Sequence, residues 1–192
     1  MSELAQSNLW RFAPSAIWHN FFRVRDKKDD SMEALLSRVP IFSQLTQKEL
    51  RNIASIVHKR EYSVNERIFS QGDPGLGMYV IESGEVEIIY CDSGTEKSLA
   101  VLRVGDFFGE LSLLDESPRS AAAIAKERSK IIGFFRPDLI NLLDRSPKAG
   151  TKILFKLGEV IGTRLRITNE QLGKLTAESE ARRRSTIAKN AK

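Results

Sequence analysis

The sequence has very little cysteine and histidine, which excludes several kinds of chemistry. Cys91 is the single cysteine among 192 residues, so an internal disulfide and a thiolate metal cage are excluded and a reducing cytoplasm is expected. The two histidines are His19 and His58. Metal-dependent oxygenases and phosphodiesterases need clustered histidines and carboxylates, and no Ser-His-Asp arrangement is visible. We therefore expect no enzyme and interpret both histidines as surface or packing residues.

Long apolar runs are also missing from the sequence. No run approaches the roughly 20 apolar residues of a membrane-spanning helix. The first residues lack the charged-then-apolar pattern of a secretory signal. The hydrophobic content of 41% and the charged content of 29% are typical of a soluble globular protein. The length predicts one domain with its own core, plus extensions.

The excess of positive charge is concentrated at one end of the chain. The net charge is +5, but residues 181–192 hold five of the 30 basic residues and no acidic one, and the remaining 25 equal the 25 acidic residues. A neutral domain argues against a broad phosphate-binding face. We predict a basic disordered tail over 181–192, with no specific nucleic-acid partner.

The first 30 residues form an aromatic and basic extension, for which a helix running to about Val24 is predicted. Two interpretations remain open. The segment over residues 10–25 suits a membrane surface or the groove of a partner protein. Alternatively, its rings cover apolar surface on this protein's own domain or dimer mate, which is the interpretation we favour. The aromatic residues are Trp10, Phe12, Trp18, Phe21 and Phe22, interleaved with Arg11, Arg23 and Arg25.

The sequence pattern over residues 31–145 predicts a β domain preceded by short helices. Ser31 stands in N-cap position before MEALLSRV, and Thr46 with Glu49 forms a capping box that begins a second helix. After His58 the apolar period changes to about two, in short segments separated by the turns QGDPGLG, ESGE, CDSGT and VGD. Many short strands at regular spacing are typical of a sandwich or jelly-roll barrel.

A short helix from Pro137 and a long helix over 146–180 are predicted next. The apolar stripe of the long helix is too extended for one small domain to cover, so we expect a homodimer through this helix. The alternative is that the helix folds back on its own barrel. Gly158 and Gly162 indicate a close backbone approach or a helix that needs a packing partner. The stripe consists of Ile153, Leu154, Leu157, Val160, Ile161, Leu165, Thr168, Leu172 and Leu175.

The stretch FFGELSLLDESPRSAAA concentrates groups that suit a ligand with a phosphate and hydroxyls. A glycine before a short helical turn leaves backbone amides that favour an anion. Arg119 suits bidentate phosphate recognition, and Ser120 adds a hydroxyl beside it. The alanines from Ala121 to Ala123 leave room for the body of a ligand. Glu110 suits ligand hydroxyls, although a surface ion pair between Glu110 and Arg119 explains the same spacing.

The segment GDFFGELSLLDESPRSAAAIA closely resembles the phosphate-binding cassette of the cyclic nucleotide-binding domain family. The upstream QGDPGLGMYVIESGEVEI is similar to the family's glycine-rich hairpin, with Gly72, Gly77 and Gly84 at its turns. The resemblance covers about residues 35–180. It implies a mainly β fold with flanking helices: a double-stranded β-helix jelly-roll barrel followed by a long C-terminal helix.

The resemblance also implies a set of ligand-binding residues. Backbone amides of Gly109, Leu111 and Ser112 would lie near the cyclic phosphate, and Glu110 would take the ribose 2′-hydroxyl. The remaining members of the implied cassette site are Phe108, Arg119, Ser120 and Ala121. The segment RLRITNEQLGKL is similar to the adenine-contacting part of the dimer helix in the catabolite activator branch, where the matching positions are Thr168 and Asn169. A polar residue that sets coiled-coil register is the competing explanation of Thr168.

The function that the resemblance implies is a cytoplasmic, bacterial sensor of cyclic AMP, with cyclic GMP also possible. Ligand binding would shift the long helix and change what it presents to a protein effector that the sequence does not name. Because about a dozen residues follow the predicted helix, no helix-turn-helix is expected after it. The alternative is a structural or adaptor protein that keeps the barrel without binding a ligand and docks through its N-terminal extension.

Overall fold

A computed structural model describes the backbone of residues 31–190 and the side chains of residues 31–180. The extension predicted over residues 1–30 lies outside the described residues. Between residues 31 and 190, eight strands form two four-stranded antiparallel sheets, with strand orders β1-β8-β3-β6 and β2-β7-β4-β5. This arrangement confirms the predicted jelly-roll barrel. The strands are β1 His58–Tyr62, β2 Arg67–Phe69, β3 Gly77–Ser83, β4 Val86–Asp92, β5 Thr95–Leu102, β6 Phe107–Phe108, β7 Ala122–Ala125 and β8 Ser129–Phe135.

Helices flank the barrel on both sides in the sequence. Those before it are α1 Met32–Ser37, the 3-10 helix η1 Pro40–Phe42 and α2 Gln47–Ile56. The 3-10 helix η2 Glu110–Leu113 lies between β6 and β7, and α3 Arg136–Arg145 and α4 Pro147–Asn190 follow the last strand. Among the described residues, no helix is both long and apolar enough to cross a bilayer.

Both predicted helix caps are confirmed. The Ser31 hydroxyl accepts a hydrogen bond from the amide of Ala34 at 3.2 Å. At the start of α2, the Glu49 amide donates to the Thr46 hydroxyl at 3.3 Å, and the Thr46 amide donates to the Glu49 carboxylate at 2.7 Å. These bonds satisfy amides that the first turn of a helix leaves without a partner.

The two faces of the first sheet belong to two separate apolar cores. Its outer face packs against the helices, where Phe42 of η1 meets Phe134 of β8 edge to face at 5.6 Å between ring centroids. Its inner face meets the second sheet inside the barrel, where Ile81, Phe108 and Ile131 are fully buried. The helices are therefore attached to the barrel through this one sheet.

Helix α4 divides its apolar stripe between the core and solvent. Ile153 and Leu157 are fully buried in the helix core, whereas Leu165 and Leu172 are 58% and 61% exposed. The first half of the helix therefore folds back on its own domain, as the alternative interpretation expected. Within the described residues, the apolar stripe of the second half is not covered. No described residue outside the neighbouring helix backbone lies within 4 Å of a Cβ placed on Gly158, so the described part of the chain does not make the close approach expected there.

The end of α4 differs from the prediction. The helix was predicted over 146–180, but it runs to Asn190, so residues 181–190 have helical backbone rather than the expected disorder. Alanine, arginine and lysine are strong helix formers, and residues 181–190 contain no glycine or proline. A basic composition predicted a solvated segment, which is compatible with a helix as well as with coil.

An ion pair between Lys152 of α4 and Glu49 of α2 provides a test of how the long helix is attached. Lys152 Nζ lies 2.7 Å from the Glu49 carboxylate, and this hydrogen bond, followed by that from the Thr46 amide, lowers the pKa of Glu49 below its ordinary 4.5. Because the folded-state pKa is depressed, the stabilisation is present above pH 4.5 and is lost as the pH falls through the folded-state pKa.

We expect Lys152→Met to lower the free energy of unfolding by about 0.5–1 kcal/mol at pH 7 and by much less at pH 3. Urea denaturation at the two pH values measures both numbers. Lys148→Met makes the same change at an exposed position of α4 and serves as the control. An equal effect of Lys152→Met at both pH values would contradict the electrostatic explanation.

Candidate functional site

A cavity of about 280 Å³ opens between η2 and the start of β7. It is walled by the segment after β6, by the turn before β7 and by two apolar side chains from other strands. Every cassette residue assigned from the sequence lines this cavity. Its lining residues are Phe69, Ile88, Phe108, Gly109, Glu110, Leu111, Ser112, Asp115, Ser117, Pro118, Arg119, Ser120 and Ala121.

Gly109 makes the sharp turn from β6 into η2. Its φ of 75° lies in the left-handed region, and a Cβ at this position would approach the Arg119 Nη1 atom to 2.5 Å. Both facts favour glycine. The Ser112 amide, expected near a phosphate, donates within the turn to the Gly109 carbonyl at 3.3 Å. Leu111, between them, is half exposed at the cavity wall.

Arg119 is a buried cation, with 6% of its surface exposed. Its Nη1 atom donates to the Ser112 hydroxyl at 2.9 Å and to the Gly109 carbonyl at 3.1 Å, and Nη2 donates to the Gly77 carbonyl at 2.8 Å. Burial lowers the pKa of the guanidinium, against the opposing influence of nearby Tyr79 and the carboxylates of Glu110 and Asp73. The acceptors of its hydrogen bonds are two carbonyls and a hydroxyl, and none of them is a carboxylate.

Aromatic rings cover the Arg119 guanidinium. Its Cζ atom lies 4.2 Å from the ring centroid of Phe69 and 5.5 Å from that of Tyr79. These rings and Phe108 form one cluster, with centroids 5.5–5.8 Å apart. Cations within about 6 Å of a ring face are attracted by the ring quadrupole. Phe69 was not among the expected site residues, because it lies 50 positions before Arg119 in a short strand without a recognisable motif.

Glu110 is buried, and its partner comes from the long helix. The Oε1 atom of Glu110 accepts a hydrogen bond from Arg164 Nη1 at 2.5 Å, and both side chains are largely shielded from solvent. The Glu110–Arg119 ion pair considered from the sequence is replaced by this contact. Arg164 also lies over the ring of Phe107 at 5.1 Å. The second carboxylate oxygen, Oε2, is buried and has no hydrogen-bond partner among the described residues.

Comparisons with known proteins agree with this geometry. Residues 59–146 match the family described as the cyclic nucleotide-binding domain. The Cyclic AMP receptor protein of Thermus thermophilus is 37% identical over 150 residues, which is 78% of this chain and 67% of that protein. The chain belongs to the cyclic nucleotide-binding domain family. The predicted resemblance is thereby confirmed.

The matched share of each relative's length differs between bacterial and eukaryotic members of the family. The crystal structure of Thermus thermophilus Catabolite Activator Protein superposes with a TM-score of 0.65 at 36% identity, covering 71% of this chain and 63% of that chain. The cAMP-dependent protein kinase regulatory subunit of Emericella nidulans is 38% identical over 111 residues, which is 58% of this chain and 26% of the subunit. The chain thus spans about a quarter of the kinase subunit and about two thirds of the bacterial relatives.

The remaining predicted ligand residues lie at the rim of this family's cassette or beyond it. Ser120 is exposed at the cavity edge. Thr168 and Asn169 are exposed on α4 and do not line the cavity. The Thr168 hydroxyl donates to the Arg164 carbonyl at 2.9 Å, which places Thr168 one helical turn beyond the Glu110–Arg164 contact. The structure therefore brings the cassette residues together and leaves the two helix residues apart from them.

A wider groove of about 640 Å³ lies between α1 and the first sheet, away from the cassette. Its charged walls are paired, Lys59 with Glu82 and Lys130 with Glu61, and all of these side chains except Glu82 are about half exposed. Nor does the described part of the chain gather three or more histidine, cysteine or carboxylate side chains for a metal ion. A buried polar atom without a hydrogen-bond partner, Glu110 Oε2, is found instead at the cassette cavity.

Arg164→Met tests whether the buried contact holds the helix against the cassette. Removal of Arg164 leaves the Glu110 charge buried without its cation, so we expect the free energy of unfolding to fall by about 2–4 kcal/mol. Adding Glu110→Gln should recover part of this loss because the uncompensated charge disappears. Chemical denaturation of the single and double variants measures the coupling.

Arg166→Met is the matched control, because Arg166 is exposed on the same helix and donates to Thr163 at the surface. Its loss should cost less than about 0.5 kcal/mol. Equal destabilisation by the two arginine variants would show that the Glu110 contact has no special energetic role.

Proposed function

We propose that this protein is a cytoplasmic sensor of a cyclic nucleotide, with cyclic AMP as its preferred ligand. The single observation that carries the proposal is the pairing, in one cavity, of a buried arginine that has no carboxylate among its hydrogen-bond acceptors and a buried glutamate with one oxygen unpaired. A ligand with an anionic group and a hydroxyl would give the arginine a negatively charged partner and the glutamate oxygen a hydrogen-bond donor. A cyclic nucleotide carries these two groups side by side.

The cavity residues fit such a ligand in chemistry and in size. Arg119 would interact with the cyclic phosphate, and the free Oε2 atom of Glu110 would accept a ribose hydroxyl. Ile88 and Ala121 offer apolar walls to the remainder of the ligand. The volume of about 280 Å³ is just below the roughly 300–1,000 Å³ that is typical of small-molecule sites. The exposed free thiol of Cys91 agrees with a reducing compartment.

The preference for cyclic AMP rests on two further points. Ser120 places a hydroxyl at the cavity rim beside the position assigned to the phosphate. The Thermus relative, which carries the name Cyclic AMP receptor protein, is similar to this chain over 150 residues, or 78% of its length. Contacts from Thr168 or Asn169 to the base would require movement of the helix or a second subunit. Cyclic GMP therefore belongs in the same titration.

Helix α4 is the element through which binding would act. Glu110 bonds Arg164 in this structure, and a ribose hydroxyl would share the same carboxylate. A ligand shifts an equilibrium only through different contacts in the two states, and this shared carboxylate supplies such a difference. A displaced α4 would present a different surface to a protein effector.

A second copy of the chain is proposed to pack against the exposed apolar residues of α4. Phe155, Leu165 and Leu172 are 70%, 58% and 61% exposed and follow one another at coiled-coil spacing. Gly158 and Gly162 lie at intervening heptad positions, and at Gly158 the described chain leaves room for another helix to approach. Parallel or antiparallel pairing of two such helices would bury all of these residues.

Calorimetric titration with cyclic AMP and with cyclic GMP tests the ligand. Arg119→Lys keeps the charge but removes the planar fork, so we expect affinity for cyclic AMP to fall about 10- to 100-fold. Arg103→Lys, at an exposed arginine paired with Glu85 outside the cavity, is the matched control and should bind as the unmodified protein does.

Absence of binding of either nucleotide to folded protein would overturn the proposal and favour an adaptor that keeps the barrel without a ligand. Tighter binding of cyclic GMP would overturn only the preference for cyclic AMP. An equal loss in both arginine variants would show that Arg119 has no special role in recognition.

Light scattering coupled to size-exclusion chromatography tests the dimer. We expect the unmodified chain to elute with twice the monomer mass, and Leu172→Lys to shift it toward the monomer because a charge would then be buried in the seam. Glu170→Lys changes charge at an exposed position outside the stripe and should leave the mass unchanged. A monomeric unmodified protein would contradict the proposed interface.

A further inference from the structure

Phe69 is held beside Arg119 by the backbone of both segments. It ends β2, where it lies opposite Ala123 of β7, whose small side chain leaves space for the ring. The loop after β2 is then bonded to the Arg119 backbone in two places. The Gly72 amide donates to the Arg119 carbonyl at 2.8 Å, and the Arg119 amide donates to the Asp73 carbonyl at 2.8 Å. The position of the ring relative to the guanidinium is therefore fixed by the fold.

The ring compensates the buried charge in a way that a carboxylate could not. Desolvation of an arginine is costly unless something nearby favours the cation. A carboxylate would do so by forming a salt bridge, and it would then compete with any incoming anion. The face of Phe69, 4.2 Å from the guanidinium carbon, attracts the cation without occupying any of its N–H groups.

The guanidinium is thereby confined between the ring and three fixed acceptors. Two of the acceptors, the Gly109 carbonyl and the Ser112 hydroxyl, belong to the cassette turn, and the third is the Gly77 carbonyl of β3. Phe69 itself is half-buried and lines the cavity, so it touches the space that a ligand would enter. Recognition of an anion by a prepositioned group avoids the cost of ordering that group on binding.

We propose that Phe69 is a positioning residue for anion recognition, whose ring holds the Arg119 guanidinium in place while keeping it available to a ligand phosphate. This inference rests on the proposed function, because it assigns a role within the same cavity. It predicts that an aromatic ring, rather than apolar volume alone, is required at position 69.

Titration of the full chain with cyclic AMP and with adenosine, which lacks the phosphate, tests the role. We expect Phe69→Leu to weaken cyclic AMP binding about 3- to 30-fold and to change adenosine binding less than twofold. Phe69→Tyr keeps the ring and should bind cyclic AMP within about threefold of the unmodified chain. Phe69→Leu should also be tested in an Arg119→Lys background. There we expect it to lower the logarithm of the cyclic AMP affinity by less than half as much as it does in the unmodified chain.

Phe42→Leu is the control for loss of a ring elsewhere in the fold, and circular dichroism verifies folding of each variant. If Phe69→Leu does not fold, Phe69→Met replaces it as the ringless variant. Unchanged cyclic AMP affinity in the ringless variant overturns the inference. The inference is also overturned if the variant loses as much affinity for adenosine as for cyclic AMP, or if its effect on cyclic AMP affinity is undiminished in the Arg119→Lys background. Phe69 would then act only as an apolar wall. Failure of the unmodified chain to bind either cyclic AMP or cyclic GMP overturns the proposed function itself, and this inference with it.

Discussion

Two opposite charges, Glu110 and Arg119, are buried in the same short segment without forming a salt bridge to each other. A buried charge is costly unless hydrogen bonds and neighbouring charges compensate it, so each needs partners from elsewhere in the fold. Arg119 bonds to β3 through the Gly77 carbonyl, and Glu110 bonds to α4 through Arg164. The cassette is thereby linked to the barrel on one side and to the long helix on the other. An ion pair between the two would have satisfied both charges locally and removed both links.

The backbone around the cassette is shaped by this arrangement. The Arg119 guanidinium packs against Gly109, where any side chain would displace it, and the left-handed backbone of Gly109 also starts η2. The Ser112 hydroxyl in η2 then accepts from the same guanidinium at 2.9 Å. One arginine therefore determines the residue types at two cassette positions. Their spacing in the sequence reflects the reach of one side chain, and this explains why the motif is compact and depends on the order of its residues.

Features that depend on neighbours in sequence were predictable, and features that depend on distant contacts were not. The caps at Ser31 and Thr46 are satisfied within one helical turn, and the cassette residues lie on one continuous segment. Arg164 is 54 residues from Glu110, and its role depends on where the chain brings α4, which periodicity does not encode. Strand alternation predicted a barrel, but it could not select which apolar residue faces the cavity, and Phe69 was missed. The apolar stripe of α4 likewise could not reveal where the helix leaves the barrel.

The point at which α4 leaves the protein body coincides with its contact to the cassette. Among the helix residues whose side chains are described, Leu157 is the last that is fully buried, and Leu165 is 58% exposed. Arg164 lies at this boundary, because the residues before it pack on η1 and α3 and the stripe after it is open to solvent. A helix segment with few buried contacts is held weakly, so a single buried ion pair has a large share in fixing its position. Under the proposed function, a ligand that competes for Glu110 would act where the helix is least supported by packing, and a small change there would move the exposed part of α4 that follows.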